Sequence, residues 1–271
     1  SFQYKIWNFL LIIGVLINGY LATIIFCVFI GCIFNKYFES HKTEFISKIL
    51  GSLSLMVVVS YITGLFSIGK GIKEGGFELY GMSLLGFFNP SSPTGFYSIV
   101  MDKLLSPSIL FVKEVEGFAF LGIGILILIS IVILNFKLVK KGFVEGKIHK
   151  PIILLGLVLL IYSFSNNIFL LGNVDFLGSK RLFIYELPEF LEPLVKVFRA
   201  SGRFSWLLFY LIYLFTFIGI SKIFKKNKLC LVLSFLLILQ VVDNYKIINI
   251  FKNELKSLEV HEIALDRMEL K

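Results

Sequence analysis

The feature that most constrains this chain is a series of long apolar runs separated by short, lysine-rich breaks. A helix needs about 20 apolar residues to cross the hydrocarbon layer of a bilayer. Runs of that order cover residues 6–34, 49–68, 118–136, 152–171 and 204–223, and a shorter one covers 229–242. A soluble domain has no use for so many. Only 17% of the 271 residues are charged, against about 25% in soluble proteins, and the mean hydropathy is +0.86. The sequence therefore predicts an all-α integral membrane protein. It has about six transmembrane helices, two long extracytoplasmic loops and an interfacial amphipathic helix. Residues 1–245 form the membrane domain, and 246–271 a charged extracytoplasmic tail that begins a further segment. The chain starts at Ser1 without the basic stretch and cleavage site of a signal peptide, so it reads as the C-terminal part of a longer protein.

The formal charge of +9 would suggest nucleic acid in a soluble protein. Here it has a simpler source, and no nucleic-acid partner is expected. Lys137, Lys140, Lys141, Lys147 and Lys150 lie in one break, and Lys222, Lys225, Lys226 and Lys228 in another. By the positive-inside rule these breaks face the cytoplasm. The break at 35–48 lies on the same side, with Lys36, Lys42 and Lys48 nearly balanced by Glu39 and Glu44. Both long connections, 69–116 and 172–203, and both chain ends are then outside. Cys27, Cys32 and Cys230 all fall within apolar runs, so neither a disulfide framework nor metal spacing is visible. The glycines at 69, 71, 75 and 76 match no phosphate-binding loop. His41 and His149 fall on the cytoplasmic side and His261 in the tail, so no histidine stands as an outer general base.

The outer connections carry the polar chemistry. Residues 80–90 are apolar for a water-exposed loop. Non-helical backbone at membrane depth survives only where protein or a water-filled cavity covers it. This stretch, with Tyr80 and Asn89, is either a packing loop or the floor of a binding cavity. Glu114 and Glu116 precede the third run: they either favour a helix N-terminus or supply an acid or base, with Glu116 the candidate catalytic group. From Glu186 the polar residues Glu189, Glu192, Lys196, Arg199 and Arg203 recur every three or four positions. That period fits an interfacial helix, interrupted by Pro193, with one wet and one apolar face. Arg199 and Arg203, four apart, share a face on such a helix. They are either snorkelling anchors or a fork for phosphate oxygens. Asn166, Asn167 and Asp243 stand near the outer ends of their runs and should face the protein interior.

The order of these motifs resembles that of an uncharacterised bacterial multi-pass family grouped with the GT-C glycosyltransferases. The residues that carry the resemblance begin with Tyr80, Met82, Leu84 and Asn89-Pro90. Glu116-Gly117, Leu121-Gly122 and Gly124 follow, then Phe198-Arg199, Ser201-Gly202-Arg203 and Trp206, and finally Gln240 and Asp243. Coverage is nearly the whole chain, as the C-terminal membrane half of such a protein. The resemblance implies a hexosyltransferase that takes a sugar from a polyprenyl-phosphate donor on the extracytoplasmic face of the bacterial inner membrane and passes it to a glycan acceptor. Membrane lipid is the remaining partner. Arg199, Arg203, Tyr80, Asn89, Asn166 and Asn167 are the expected substrate-binding residues. No cofactor is identifiable; a divalent metal would have to be held by residues before Ser1, as would the catalytic acid. A polysaccharide polymerase or ligase acting on lipid-linked glycans would use outer arginines in the same way. A transporter or flippase is the third reading, disfavoured because the interiors of the runs lack charged residues.

Overall fold

A computed structural model describes residues 4–38, 41–65, 77, 80–88, 91–92, 95–96, 98–100, 119–145, 150–170, 181–245, 248–249 and 252–253. The described chain is mostly helical. Its helices are α1 (Tyr4–Ile17), α2 (Gly19–Tyr37), α3 (Lys42–Ile62), α4 (Ile123–Leu134), α5 (Phe136–Glu145), α6 (Lys150–Ser163), α7 (Glu192–Val197), α8 (Trp206–Ile223) and α9 (Lys226–Asp243). Two antiparallel strand pairs qualify the all-α expectation. β1 (Ser91–Ser92) pairs with β2 (Gly95–Phe96), and β3 (Asn167–Phe169) with β4 (Arg181–Ile184). Tail residues beyond 253 lie outside the described residues.

The first apolar run is not one span. It breaks at Asn18, whose extended backbone leaves the helix and whose side chain accepts from the Tyr20 amide at 2.9 Å. An N-cap asparagine satisfies a helix-start donor that would otherwise lack a partner. The chain then doubles back. A Cβ on Gly14 would stand 3.0 Å from the Ala22 Cα, so the two small residues let the legs of the hairpin meet. Tyr4 and Trp7 of α1 reach Phe29 of α2, with ring centroids 6.0 and 5.9 Å away. The Tyr4 hydroxyl donates to the Lys48 carbonyl at 3.2 Å, and the Ser52 hydroxyl to Asn8 Oδ1 at 2.7 Å. The N-terminal end of α1 therefore lies beside the first half of α3, which corrects the expectation that it lies opposite the lysine-bearing breaks.

Two helical stretches among the described residues are long and apolar enough to cross a membrane: Lys42–Ile62 and Ser201–Ile223. Several runs expected as spans yield shorter helices. The third gives only the 12 residues of α4, about 18 Å of helix. Gly122, with φ +86°, stands just before the helix, and Asn135 stops it with its side-chain amide on the Ile131 carbonyl at 2.9 Å. The described part of the lysine-rich break that follows is not a loop but the amphipathic helix α5, Phe136–Glu145.

The elements sort to two ends. The end of α2, the starts of α3 and α6 and the α8–α9 turn lie at one, with Lys42, Lys48, Lys150, Lys222 and Lys225. At the other lie the start of α2, the 80–88 segment, the end of α6, the β3–β4 pair, the turn before α8 and the end of α9. Three apolar clusters join them: Ile24 with Phe204 and Leu207, Phe29 with Ile33 and Tyr37, and Leu128 with Ile220 and Leu236. Outward faces stay apolar, as at Ile62, Leu154, Ile161 and Leu231.

Candidate functional site

The polar chemistry gathers at the end opposite the lysines, where backbone bonds tie three segments together. Met82 donates its amide to the Ser163 carbonyl at 2.8 Å, Gly202 to Tyr80 at 2.9 Å, and Leu84 to Phe169 at 3.0 Å. The apolar 80–88 segment is thus held by main-chain bonds to the end of α6 and the turn before α8. Gly81 permits this approach: a Cβ there would stand 2.9 Å from that of Ser165 and 3.2 Å from the Phe164 carbonyl.

Ser165 is the strained member, with φ +62°, a region that costs a residue with a Cβ about 1–2 kcal/mol. Its hydroxyl, fully buried, lies 2.7 Å from the Phe77 carbonyl and 3.0 Å from Asn166 Oδ1. The Tyr185 hydroxyl donates to the Ser165 carbonyl at 3.1 Å. Partial burial of the hydroxyl raises the Tyr185 phenol above its ordinary pKa. Asn166 is buried within this network, and Asn167 in β3 keeps a buried side-chain oxygen without a hydrogen-bond partner among the described residues.

Arg199 and Arg203 reach the same junction by different routes. The expected helix over 186–203 is not continuous. Residues 185–188 are irregular, Glu189–Leu191 form a 3₁₀ turn, α7 spans only Glu192–Val197, and Ser201–Ser205 form a second 3₁₀ turn. Pro193 falls in the first turn of α7, where its missing N–H costs nothing. Because 198–200 are not helical, the two arginines do not share a helical face. Arg199 lies over the Tyr80 ring at 5.8 Å, and Arg203 over Tyr20 at 5.1 Å. Between them Ala200, Ser201, Gly202, Phe204 and Ser205 are buried. The Tyr20 hydroxyl accepts from the Ala200 amide at 2.8 Å, and its ring packs against Phe198 and Phe204. Both guanidinium groups are half-buried on aromatic faces, an arrangement worth about 0.5–2 kcal/mol. Arg199 has no carboxylate partner among the described residues. Glu186, Glu189 and Glu192 are exposed, and Glu192 pairs with Lys196 at 3.3 Å. Glu116 and Asn89 lie outside the described residues.

A second polar cluster closes the same end. Gln240 on α9 accepts from the Gly124 amide at 2.9 Å and donates to Asn244 Oδ1 at 3.2 Å. Its carboxamide fills the space a Cβ on Gly122 would take. Asp243 is buried and accepts from the Ser98 hydroxyl and the Val100 amide, both at 2.9 Å. It thereby caps the helical turn at 99–100. The Tyr213 hydroxyl donates to the Leu121 carbonyl at 2.7 Å. Among the described residues no group of three His, Cys, Asp or Glu could hold a metal ion.

A family model described as a domain of unknown function, DUF6311, matches residues 2–245. The chain belongs to the DUF6311 family. That match does not link it to the GT-C glycosyltransferases. No curated protein and no solved structure matches it. Within this DUF6311 chain, several residues that carried the sequence resemblance meet in space: Tyr80 with Gly202 and Arg199, and Gln240 with Gly122 and Gly124.

The sequence reading missed Tyr20, Ser163, Ser165, Tyr185 and Ser98. The run Ser163, Ser165, Asn166, Asn167 is a polar cluster at the end of an apolar stretch, and it could have flagged the two serines. Tyr20 gives no such signal, because in an apolar run a tyrosine reads as one more hydrophobic residue.

Proposed function

We propose that the chain is the membrane portion of a GT-C-like glycosyltransferase that moves a sugar from a polyprenyl-phosphate donor to a glycan acceptor. In this reading it is a multi-pass protein of the bacterial inner membrane. Its six apolar runs form the bundle, with the lysine-bearing end in the cytoplasm and the junction of Tyr20, Tyr80, Arg199 and Arg203 on the outer face. The observation that carries the reading is Arg199: half-buried, against an aromatic ring, with no carboxylate partner among the described residues. A half-buried guanidinium on a ring face still has N–H donors to give, and a phosphate at the membrane surface accepts them in the geometry that the Arg fork matches. Charge that grows on that phosphate as the sugar departs would be stabilised where water is scarce. Arg203, on Tyr20, stands on the other side of the buried turn and completes the positive edge of the junction. Asn166 and Asn167 contribute neutral polar groups beside it, and Glu116 is the candidate acid or base.

The test uses the full-length protein in proteoliposomes with a radiolabelled polyprenyl-phosphate hexose. Arg199→Ala should lower transfer on the order of a hundredfold. Arg199→Lys should not restore it, because an ammonium lacks the planar fork. Undiminished transfer in the Arg199→Ala, Arg203→Ala double variant would show that the arginines only anchor α8. A wild-type protein that transfers no sugar from such a donor would remove the reading altogether.

A further inference from the structure

Between α4, α8 and α9 lies a cavity of about 500 Å³, within the range of small-molecule sites. Ile125, Leu128, Phe217 and Leu233 form its apolar wall. Beside it on α9, Phe235, Leu237, Ile238 and Val241 are exposed, so the route into it crosses an apolar surface. Water gains nothing from such a wall, whereas a hydrocarbon chain fills it at little cost.

The polar lining is narrower and more informative. Gln240 and Asn244 stand at the cavity, at the end of α9. Gln240 spends its oxygen on Gly124 and one amide hydrogen on Asn244 Oδ1. Its second amide hydrogen and the Asn244 side-chain amide have no acceptor among the described residues and so serve as donors. None of the described residues that line the cavity carries a charge. The site thus offers neutral donors above an apolar slot. That is complementary to an ester carbonyl attached to a chain. It is not complementary to a polyprenyl phosphate, whose acceptors are anionic and call for a cation.

We propose that this cavity holds one acyl chain of a glycerophospholipid, whose ester carbonyl accepts from Asn244 and Gln240. The lipid wedges α4 against α9 and is separate from the arginine junction. The inference goes beyond the transferase reading and does not depend on it.

The experiment is native mass spectrometry of the full chain released from mild detergent, with the retained lipids identified by fragmentation. Wild type should keep one glycerophospholipid. Leu237→Trp, which fills the mouth of the slot, and Asn244→Asp, which preserves the acceptor for Gln240 but replaces the free donor with a carboxylate, should each lower occupancy about tenfold. As a second readout, adding dioleoyl phosphatidylglycerol to delipidated protein should raise the melting temperature of wild type and not that of either variant. Three results overturn the assignment: wild type retaining no lipid, retention unchanged in both variants, or a polyprenyl phosphate as the retained species.

Discussion

Asp243 offers the sharpest test of the tertiary structure. Its carboxylate is buried, and one oxygen accepts from both the Ser98 hydroxyl and the Val100 amide, 145 and 143 positions away in sequence. These bonds pin the first long connection to the end of α9. In Asp243→Ala both donors lose their acceptor. The Ser98 hydroxyl can rotate toward another oxygen, but the Val100 amide is fixed by the backbone. A hydrogen bond to a charged group is worth about 1.5–3 kcal/mol, and a helix cap about 0.5–2 kcal/mol, so the expected cost is roughly 2–4 kcal/mol. Asp243→Asn keeps an oxygen for both donors at about half the strength, and should cost only about 1 kcal/mol. At about 2–4 °C per kcal/mol for a chain of this size, Ala should lower the melting temperature in detergent by roughly 5–15 °C and Asn by a few degrees. Amide exchange at Val100 supplies the local readout: fast in Ala, still protected in Asn. If Ala melts with wild type and Val100 stays protected, the cap contributes nothing and the reasoning fails. If Asn is as damaging as Ala, charge and not acceptor geometry matters there.

Three further outcomes follow from the packing. Ser165→Ala keeps the positive φ but loses the bond to Phe77, whereas Ser165→Gly loses the bond and relieves the backbone; Gly should therefore be the milder change by about 1 kcal/mol, and equal losses in thermal stability would contradict this. A Cβ on Gly31 would stand 2.5 Å from Ile152 Cγ1, so Gly31→Val should destabilise by about 1–3 kcal/mol, and Ile152→Ala should recover part of that in the double variant, as residues in contact do. Single cysteines at Lys5 and Lys140 should label from the same side of the membrane and one at Glu189 from the other; labelling of Lys5 together with Glu189 would break the α1–α2 hairpin assignment.

Hydropathy located the apolar stretches that become helical, but not where they break or how long each helix is; that signal is local, a run of apolar side chains with charges beside it. The fifth break stands as read, between α8 and α9, whereas the described part of the third is the helix α5. Composition also fixed that Asp243 would be buried, since a carboxylate at the end of an apolar helix is costly unless protein covers it. It could not say by what, because Ser98 and Val100 are over a hundred residues away.

What only the tertiary structure decided depends on partners distant in sequence or on single backbone angles. Residues 6–34 are apolar throughout, yet they fold as a hairpin, because Asn18 caps α2 and the small pair Gly14 and Ala22 lets its legs touch. The three- and four-residue spacing from Glu186 to Arg203 is real, but residues 198–200 leave the helix to bury Ala200, Ser201 and Gly202 against Tyr20, Ser163 and Tyr80. Burial and main-chain bonds outweighed periodicity there, and so sent Arg199 to one tyrosine and Arg203 to another.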